Sequence, residues 1–510
     1  MKRLVGIQAA SANNTQPPVL IVGAGPVGLV AALTLLQNGI PVCIIDKDTN
    51  PRIGRCGPGI WQRSLSLFNF LDISEVNDLG KSVPTIRSYK PGTLEPQGES
   101  SMVPHVEPTP AISFVRKPAV FSSFRDDNVI LIRHLGKFSC SVEMGTQLRS
   151  FEQSDQGVTV VLAKNGISET FGTKWMIGAD GAKETTRIVT GDIRLKDVCL
   201  NRVYWHRFGN VNERARDSWQ FFIFGQDIDV TKIAQSQELV FETIASLIPT
   251  EVTFNKLVWV SEFQANIWIV NKFSEGRVFV AGDAAHVHSP TGGQGLNSSV
   301  QDTVGNLRSE KGLADKSLLE TCTSERLPVI SDMLEMTTSI DNQTMTTGDP
   351  TTRRTPILSM LGNNCRFSSI VLDEFVTPGE GKPIQAYGVL DEGHLEAGDR
   401  APDAPNMLKV QLVVFTPSLA DATPILGALE ACDKTIVRSA VVLPPSAPAI
   451  PIASPVDLVL VGQEGCVHSA YLVEDTQTKV FVIRPDGVIG AIVHGAEVFL
   501  ERIFGPVTLL

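Results

Sequence analysis

Positive charge is in short supply. The chain has 44 lysines and arginines against 55 aspartates and glutamates, a formal net charge of −11. Such a chain is repelled by phosphate backbones and anionic lipid, so nucleic acid and membrane are excluded as its main partners. Cysteine is sparse and scattered: the eight thiols form no CxxC pair and no metal-ligand spacing, which argues against a metal site and for a reducing compartment. A secretory signal is missing as well. The stretch "MKRLVGIQAASANNTQPP" has two basic residues but no apolar h-region, so residues 1–18 are expected to be a flexible arm and the location cytoplasmic. No repeat of 20–50 residues is present.

What is present is ordinary globular material, 510 residues with 43% hydrophobic and 19% charged, enough for two or three domains and a small-molecule ligand. The one run near membrane-spanning length, "VLIVGAGPVGLVAALTLLQNGI", gathers glycines and a proline where a strand would turn into a helix, so it reads as the start of a βαβ unit. The strand covers residues 19–22, the helix closes at Gly39, and a second strand runs through "VCIIDKD". Gly23, Gly25 and Gly28 form GxGxxG, Pro26 opens the helix, and Asp46 with Lys47 ends the second strand. The glycines permit a tight turn, close approach of a pyrophosphate and helix–strand contact, while Asp46 can accept from ribose hydroxyls. This is a dinucleotide site, with FAD and NAD both open.

Two more glycine motifs follow strands, "GADG" with Asp180 and Gly181, and "GDAAHVHSPTGGQGLN" with Gly282 and Asp283. Their order and spacing resemble those of the class A flavoprotein aromatic hydroxylases, the phenol and para-hydroxybenzoate hydroxylase group, from Val19 to about Met333. The resemblance implies an α/β fold: a Rossmann-like FAD-binding domain of the para-hydroxybenzoate hydroxylase type, a β-sheet substrate lobe, and a C-terminal thioredoxin-like domain without CxxC. The expected division is residues 19–340 for the FAD-binding domain, with the lobe inserted at about 80–120 and 188–275, a linker at 341–392, and the thioredoxin-like unit at 393–510.

The resemblance also assigns roles. Asp180 and Gly181 would help form the FAD and NAD(P)H site, and Asp283 would hold the ribityl chain. Gly293 and Gly295 would admit the isoalloxazine edge, with Pro290 beside flavin C4a. The helix starting near Leu296 and Asn297 would aim its positive end where charge gathers on reduction, worth about 0.3–1 kcal/mol when exposed. Arg63, and Arg55 one residue out of register because Cys56 takes the expected place, would lie near FAD. Tyr204, His206 and Arg207 are candidates, by residue type, for favouring a substrate phenolate, with ordinary strand packing as the other reading of all three. His286 and His288 are expected to pack beneath the loop rather than bind metal, and Gln301 and Asp302 to brace the helix.

The implied activity is hydroxylation of a phenolic or related aromatic compound by an FAD-dependent, NAD(P)H-consuming monooxygenase through a C4a-hydroperoxyflavin. Dioxygen and the aromatic substrate are the partners, and a homodimer is an open assembly. Three departures leave alternatives standing. Helical spacing is poor around residues 115–140, where the family also has a glutamine that this chain lacks; a couple of turns are missing after Leu307; and the span from Asp180 to Asp283 is short for the lobe. A relative without turnover that serves as a scaffold, or an FAD oxidase on the same framework, would tolerate such losses.

Overall fold

Val19–Val22 is a strand buried on both faces, and its parallel neighbours set the architecture. The computed structural model describes residues 18–51, 59–83, 85–90, 92–101, 103, 109–112, 119–121, 124–182, 188–196, 205–208, 211–215, 219–224, 229–249, 251–263, 267–288, 291–304, 316–347, 355–376, 385–403, 410–429, 438–447, 457–461 and 466–494. In the first sheet Val19–Val22 lies between Val42–Asp46 and Met176–Gly178, with Val142–Met144 beyond the former and Val278–Val280 beyond the latter, all parallel. Ser274–Glu275 closes the edge as an antiparallel strand.

Alternation decides which layer covers each face. Val19 and Ile21 pack with α1 (Pro26–Gln37), α2 (Gln62–Phe70), the short α3 (Glu75–Leu79) and α4 (Phe124–Gly136). Leu20, Val22 and Ile45 face Val158, Val160 and Leu162 of a three-stranded meander, Thr146–Ser154, Gly157–Lys164 and Ile167–Thr173. The run "ETFGTKWMIGADG" forms two strands, because it leaves the meander at Thr173 and enters the parallel sheet at Met176. One expectation changes here. The poor helical spacing near 115–140 hides α4: Ile130, Leu131 and Leu135 make its apolar stripe, but Asn128 and His134 are buried with them and break the pattern.

The lobe is a seven-stranded sheet in the order Thr253–Phe263, Ile188–Lys196, Trp219–Phe224, Val211–Ala215, Trp205–Phe208, Ile86–Tyr89 and Pro96–Ser100. The helices α5 (Val230–Ala234) and α6 (Gln237–Leu247) cover one face, burying Val189, Ile193, Phe221 and Ile223 against Val240 and Ile244. The chain then returns to the first sheet through Val278–Val280 and continues into α7 (Gly295–Val304) and the long α8 (Thr321–Thr347).

The C-terminal unit has the strand order Leu372–Asp373, Ile489–Val493, Lys479–Ile483, Leu412–Phe415, Ser439–Leu443 and Leu458–Val461. Its two faces are covered by α9 (Leu419–Leu429) and α10 (Cys466–Tyr471). The expected linker at 341–392 is corrected: α8 runs on to Thr347, Leu358, Met360 and Tyr387 are buried, and Leu372–Asp373 supplies the edge strand of this sheet. Polar residues between short apolar pieces gave that segment a loop-like composition although its apolar residues are consumed by packing. No described helix is long and apolar enough to cross a membrane.

Candidate functional site

Parallel pairing brings the motif residues to one edge. Val22 pairs with Ile45 on one side and Gly178 on the other, and Gly178 pairs with Val280, so the carboxyl ends carrying Asp46, Gly23, Asp180 and Gly282 lie side by side. In open α/β sheets ligands bind at this edge, where the strand order reverses.

The first loop is tight where glycine is needed. Gly23 has φ +106°, and a Cβ there would stand 2.3 Å from the Ala179 carbonyl oxygen; a Cβ on Gly28 would stand 1.9 Å from that of Gly23. Gly25 differs, since a Cβ there would meet nothing within 4 Å. Gly25 is also the N-cap of α1, Pro26 follows it, no side chain caps the helix, and its first turn holds no acid. An open backbone position at an uncapped helix N-terminus suits a pyrophosphate, so these residues fit the phosphate end of FAD. Asp46 has a structural duty as well: Oδ2 accepts from the Ala24 N–H at 2.7 Å and Oδ1 from the Asp48 N–H at 2.9 Å. Lys47 and Asp180 are exposed, and Gly181 has φ +81°.

The third motif meets the first. A Cβ on Gly282 would approach Val27 Cγ2 at 3.0 Å and Ser299 Cβ at 3.3 Å, so the GD turn lies between α1 and α7. Asp302 fastens it by accepting the Gly282 N–H at 3.0 Å, with His286 Nε2 at 2.8 Å and Arg326 Nε at 2.9 Å. Burial acts to raise the Asp302 carboxyl, but the charges of His286 and Arg326 outweigh it and hold its pKa below the usual aspartate value. His286 thus serves bracing. Among the described residues no cluster of three or more metal-type ligands exists. Asp283 is exposed beside this turn.

Between the GD turn and α7, Gly292 and Gly293 have φ +81° and +64°. Trp61 Nε1 donates to the Gly292 carbonyl at 2.8 Å. Gln294 donates to Gly292 and Leu358 carbonyls and accepts from the Tyr387 hydroxyl at 2.5 Å. Gly295 sits against His288, whose Nε2 would be 3.2 Å from a Cβ there. Leu296 packs on the first core. The first turn of α7, like that of α1, carries no acid. Trp61, Gln294 and Tyr387 gave no sign in the sequence of this shared role, because three distant segments meet to produce it.

Several expected roles are redirected. The Asn297 side chain is consumed by backbone: Oδ1 accepts the Trp61 N–H, and Nδ2 donates to Gly59 and Gly293 carbonyls. Arg63, expected near FAD, donates through Nη2 to the Asp486 carbonyl of the C-terminal unit at 2.8 Å. His206 is fully buried in the lobe core, with Nδ1 2.6 Å from the Tyr89 hydroxyl and its ring near Trp219, on the α6 side of the sheet. Of its two readings, substrate contact and strand packing, this geometry is that of packing. Arg55, Tyr204 and Pro290 lie outside the described residues; Arg207 is in the strand Trp205–Phe208, and its side chain is outside the described set.

With that geometry in place, comparison with known proteins is decisive at the family level. The family model described as an FAD binding domain matches residues 16–194 and 205–337. The chain belongs to this family. As a family member it is 27% identical over 521 residues to a flavin-dependent monooxygenase of Mycobacteroides abscessus, covering 95% of this chain and 98% of that one. It is 27% identical over 362 residues to pentachlorophenol 4-monooxygenase of Sphingobium chlorophenolicum, covering 64% of this chain and 65% of that one. Its fold matches the crystal structure of aklavinone-11 hydroxylase with FAD and aklavinone at a TM-score of 0.75 and 20% identity, covering 98% and 100% of the two chains. The expected α/β architecture and the expected FAD-dependent monooxygenase of the aromatic hydroxylase group both stand.

Proposed function

We propose that this FAD-dependent monooxygenase takes electrons from NAD(P)H and hydroxylates a phenolic or related aromatic compound. The observation that carries the reading is the convergence of Gly25, Asp46, Asp180 and Gly282 at one sheet edge, with α7 delivered to the same place. Relatives named for pentachlorophenol and 2,4-dichlorophenol support the phenolic class.

Bound FAD supplies hydride acceptance and activation of dioxygen. The chain supplies the rest. The amides at the start of α1 would receive the pyrophosphate, Gly25 would let it approach, and Asp46 would accept from the adenosine ribose. Asp180 and Asp283 stand at the same edge to hold the remaining hydroxyls. The positive end of α7, whose first turn holds no acid, would favour negative charge on a flavin held there.

For substrate, the lobe sheet offers the face turned away from α6. Thr190 and Asp192 alternate with the core residues Val189 and Ile193, so they occupy this second face, and Trp259 pairs directly with Asp192, donating Nε1–H to Oδ2 at 2.8 Å. A buried carboxylate beside an indole suits an aromatic ligand with a hydroxyl donor. The helix Phe124–Gly136 counts against the scaffold alternative; residues 113–118, 122–123 and the segment after Leu307 lie outside the described residues. For the C-terminal unit we keep the thioredoxin-like reading. It is supported by the order Ser439–Leu443, Leu412–Phe415, Lys479–Ile483, Ile489–Val493, with the first pair parallel and the next two antiparallel.

The test is to purify the chain, titrate NADPH and NADH in air with a panel of phenols, and trace oxygen from labelled dioxygen into product. Label in a hydroxylated ring supports the proposal. Peroxide equal to the NAD(P)H consumed, with no hydroxylated product for any phenol, contradicts it.

A further inference from the structure

Charged side chains are buried where the C-terminal unit meets α2 and α8. Arg484 donates to both carboxylate oxygens of Glu325, at 2.8 and 2.8 Å, and to Asp486 Oδ2 at 2.7 Å; Glu325 also accepts from Ser368 Oγ at 2.6 Å. The turn that carries these residues closes on itself through Gly487 N–H to the Arg484 carbonyl and Arg484 N–H to the Val488 carbonyl, each 2.8 Å. It lies directly on α2. Arg63 donates to the Asp486 carbonyl, and a Cβ on Gly487, whose φ is +73°, would come within 2.6 Å of the Phe70 ring and 3.5 Å of Arg63 Nη1. Arg63 and Phe70 are seven residues apart, two turns along one face.

Buried ion pairs cost desolvation that apolar packing would avoid, so they are a poor way to gain stability. A bidentate arginine–carboxylate pair does fix distance and orientation. Burial, with Arg400 nearby, lowers the Arg63 guanidinium to about 10, so it stays charged at neutral pH.

From each of the two helices a single residue step leads to the cofactor loops. Trp61, next to α2, holds Gly292 and Asn297, and Ser64 Oγ in the first turn of α2 donates to the Asn297 carbonyl at 3.2 Å. Arg326, next to Glu325 on α8, donates to Asp302 and to the Ser298 carbonyl, and Asp302 holds the Gly282 N–H. Among the described residues, the hydrogen bonds of Arg63 and Glu325 go to Asp486, Ser368 and Arg484 rather than to those loops.

We propose that the turn Arg484–Gly487 positions the cofactor mouth, with Arg63 and Glu325 as the positioning residues that transmit its placement. This rests on the reading of residues 291–297 and 282–283 as the place where FAD is held. The C-terminal unit is then a working part of the cofactor site rather than an appended module.

The experiment uses the full chain carrying Arg63→Met, Arg63→Lys or Glu325→Gln, with two readouts: amide hydrogen exchange of the apoprotein, and the FAD dissociation constant from fluorescence quenching. Arg63→Met is expected to speed exchange at residues 59–70 and 292–304 and to weaken FAD by about ten-fold, the scale of one lost hydrogen bond to a charged group. Arg63→Lys should recover part of both. Glu325→Gln keeps the side-chain shape and should loosen residues 282–304; it decides the matter on the same criteria if Arg63→Met does not fold. Exchange that changes only at 484–488, or evenly across the chain, with FAD affinity within about two-fold of the unmodified protein, overturns the proposal. If the unmodified chain takes up no FAD, the functional reading fails, while the exchange pattern still decides whether the turn positions the loops.

Discussion

Asn297 Oδ1 accepts the main-chain N–H of Trp61 at 2.8 Å although 236 residues separate the two in the chain. With its two donations to the Gly59 and Gly293 carbonyls, this side chain ties the start of α2 to the start of α7. Asn297→Asp keeps the acceptor but replaces both donors by a carboxylate oxygen facing carbonyls. Urea denaturation is expected to show a loss of about 2–4 kcal/mol, from two lost bonds and a buried group left unsatisfied. FAD affinity should fall in parallel.

The glycine loop separates folding from cofactor binding. Gly28→Ala forces a Cβ to within 1.9 Å of the Gly23 carbonyl oxygen, so the apoprotein itself should lose stability. Gly25→Val puts its Cβ where the apoprotein has nothing within 4 Å. This variant is expected to melt within a few degrees of the parent without FAD, yet to bind FAD at least about ten-fold more weakly. Melting curves with and without FAD check both.

The Asp302 hub predicts an acid-side instability. Its carboxyl has a folded-state pKa below the unfolded value of about 3.9, so its contribution to stability is full above that value and is lost as pH falls through the folded-state pKa. Asp302→Asn should remove this component of the pH dependence and cost about 3–5 kcal/mol at neutral pH, because Arg326 and His286 lose their buried partner. Denaturation followed between pH 3 and 7 measures it.

His206 and Asp192 are expected to behave oppositely. His206, paired with Tyr89 in the lobe core, should when changed to Gln lower stability and leave the pH profile of hydroxylation unmoved. Asp192→Asn should leave NAD(P)H affinity unchanged and raise KM for the aromatic substrate by about ten-fold, one charge-assisted bond. Steady-state kinetics across pH separate the two.

These residues show how far the sequence could be read. GxGxxG, GADG and the GD turn are local signals, each set by a strand that ends in glycine, and they located the sheet edge without help from tertiary context. Asp302 as a brace was legible in part, because it lies in the helix that follows the motif, but the Gly282 N–H it holds is 20 residues away. His206 stayed open between packing and substrate contact because residue type does not say which face of a strand meets solvent, ligand or core. The Arg63 bond was not legible because its partner is the Asp486 carbonyl, a main-chain atom 423 residues away that leaves no trace in side-chain pattern. The 341–392 segment was taken for a linker because its strands are two residues long and its apolar residues are interspersed with polar ones.

The most direct measurement is the visible spectrum and FAD stoichiometry of the purified chain beside its Gly25→Val variant. The expected result is a yellow protein holding close to one FAD per chain, bleached by NADPH and recoloured in air, and a pale but folded variant. A folded unmodified chain that takes up no FAD at micromolar concentration would contradict it.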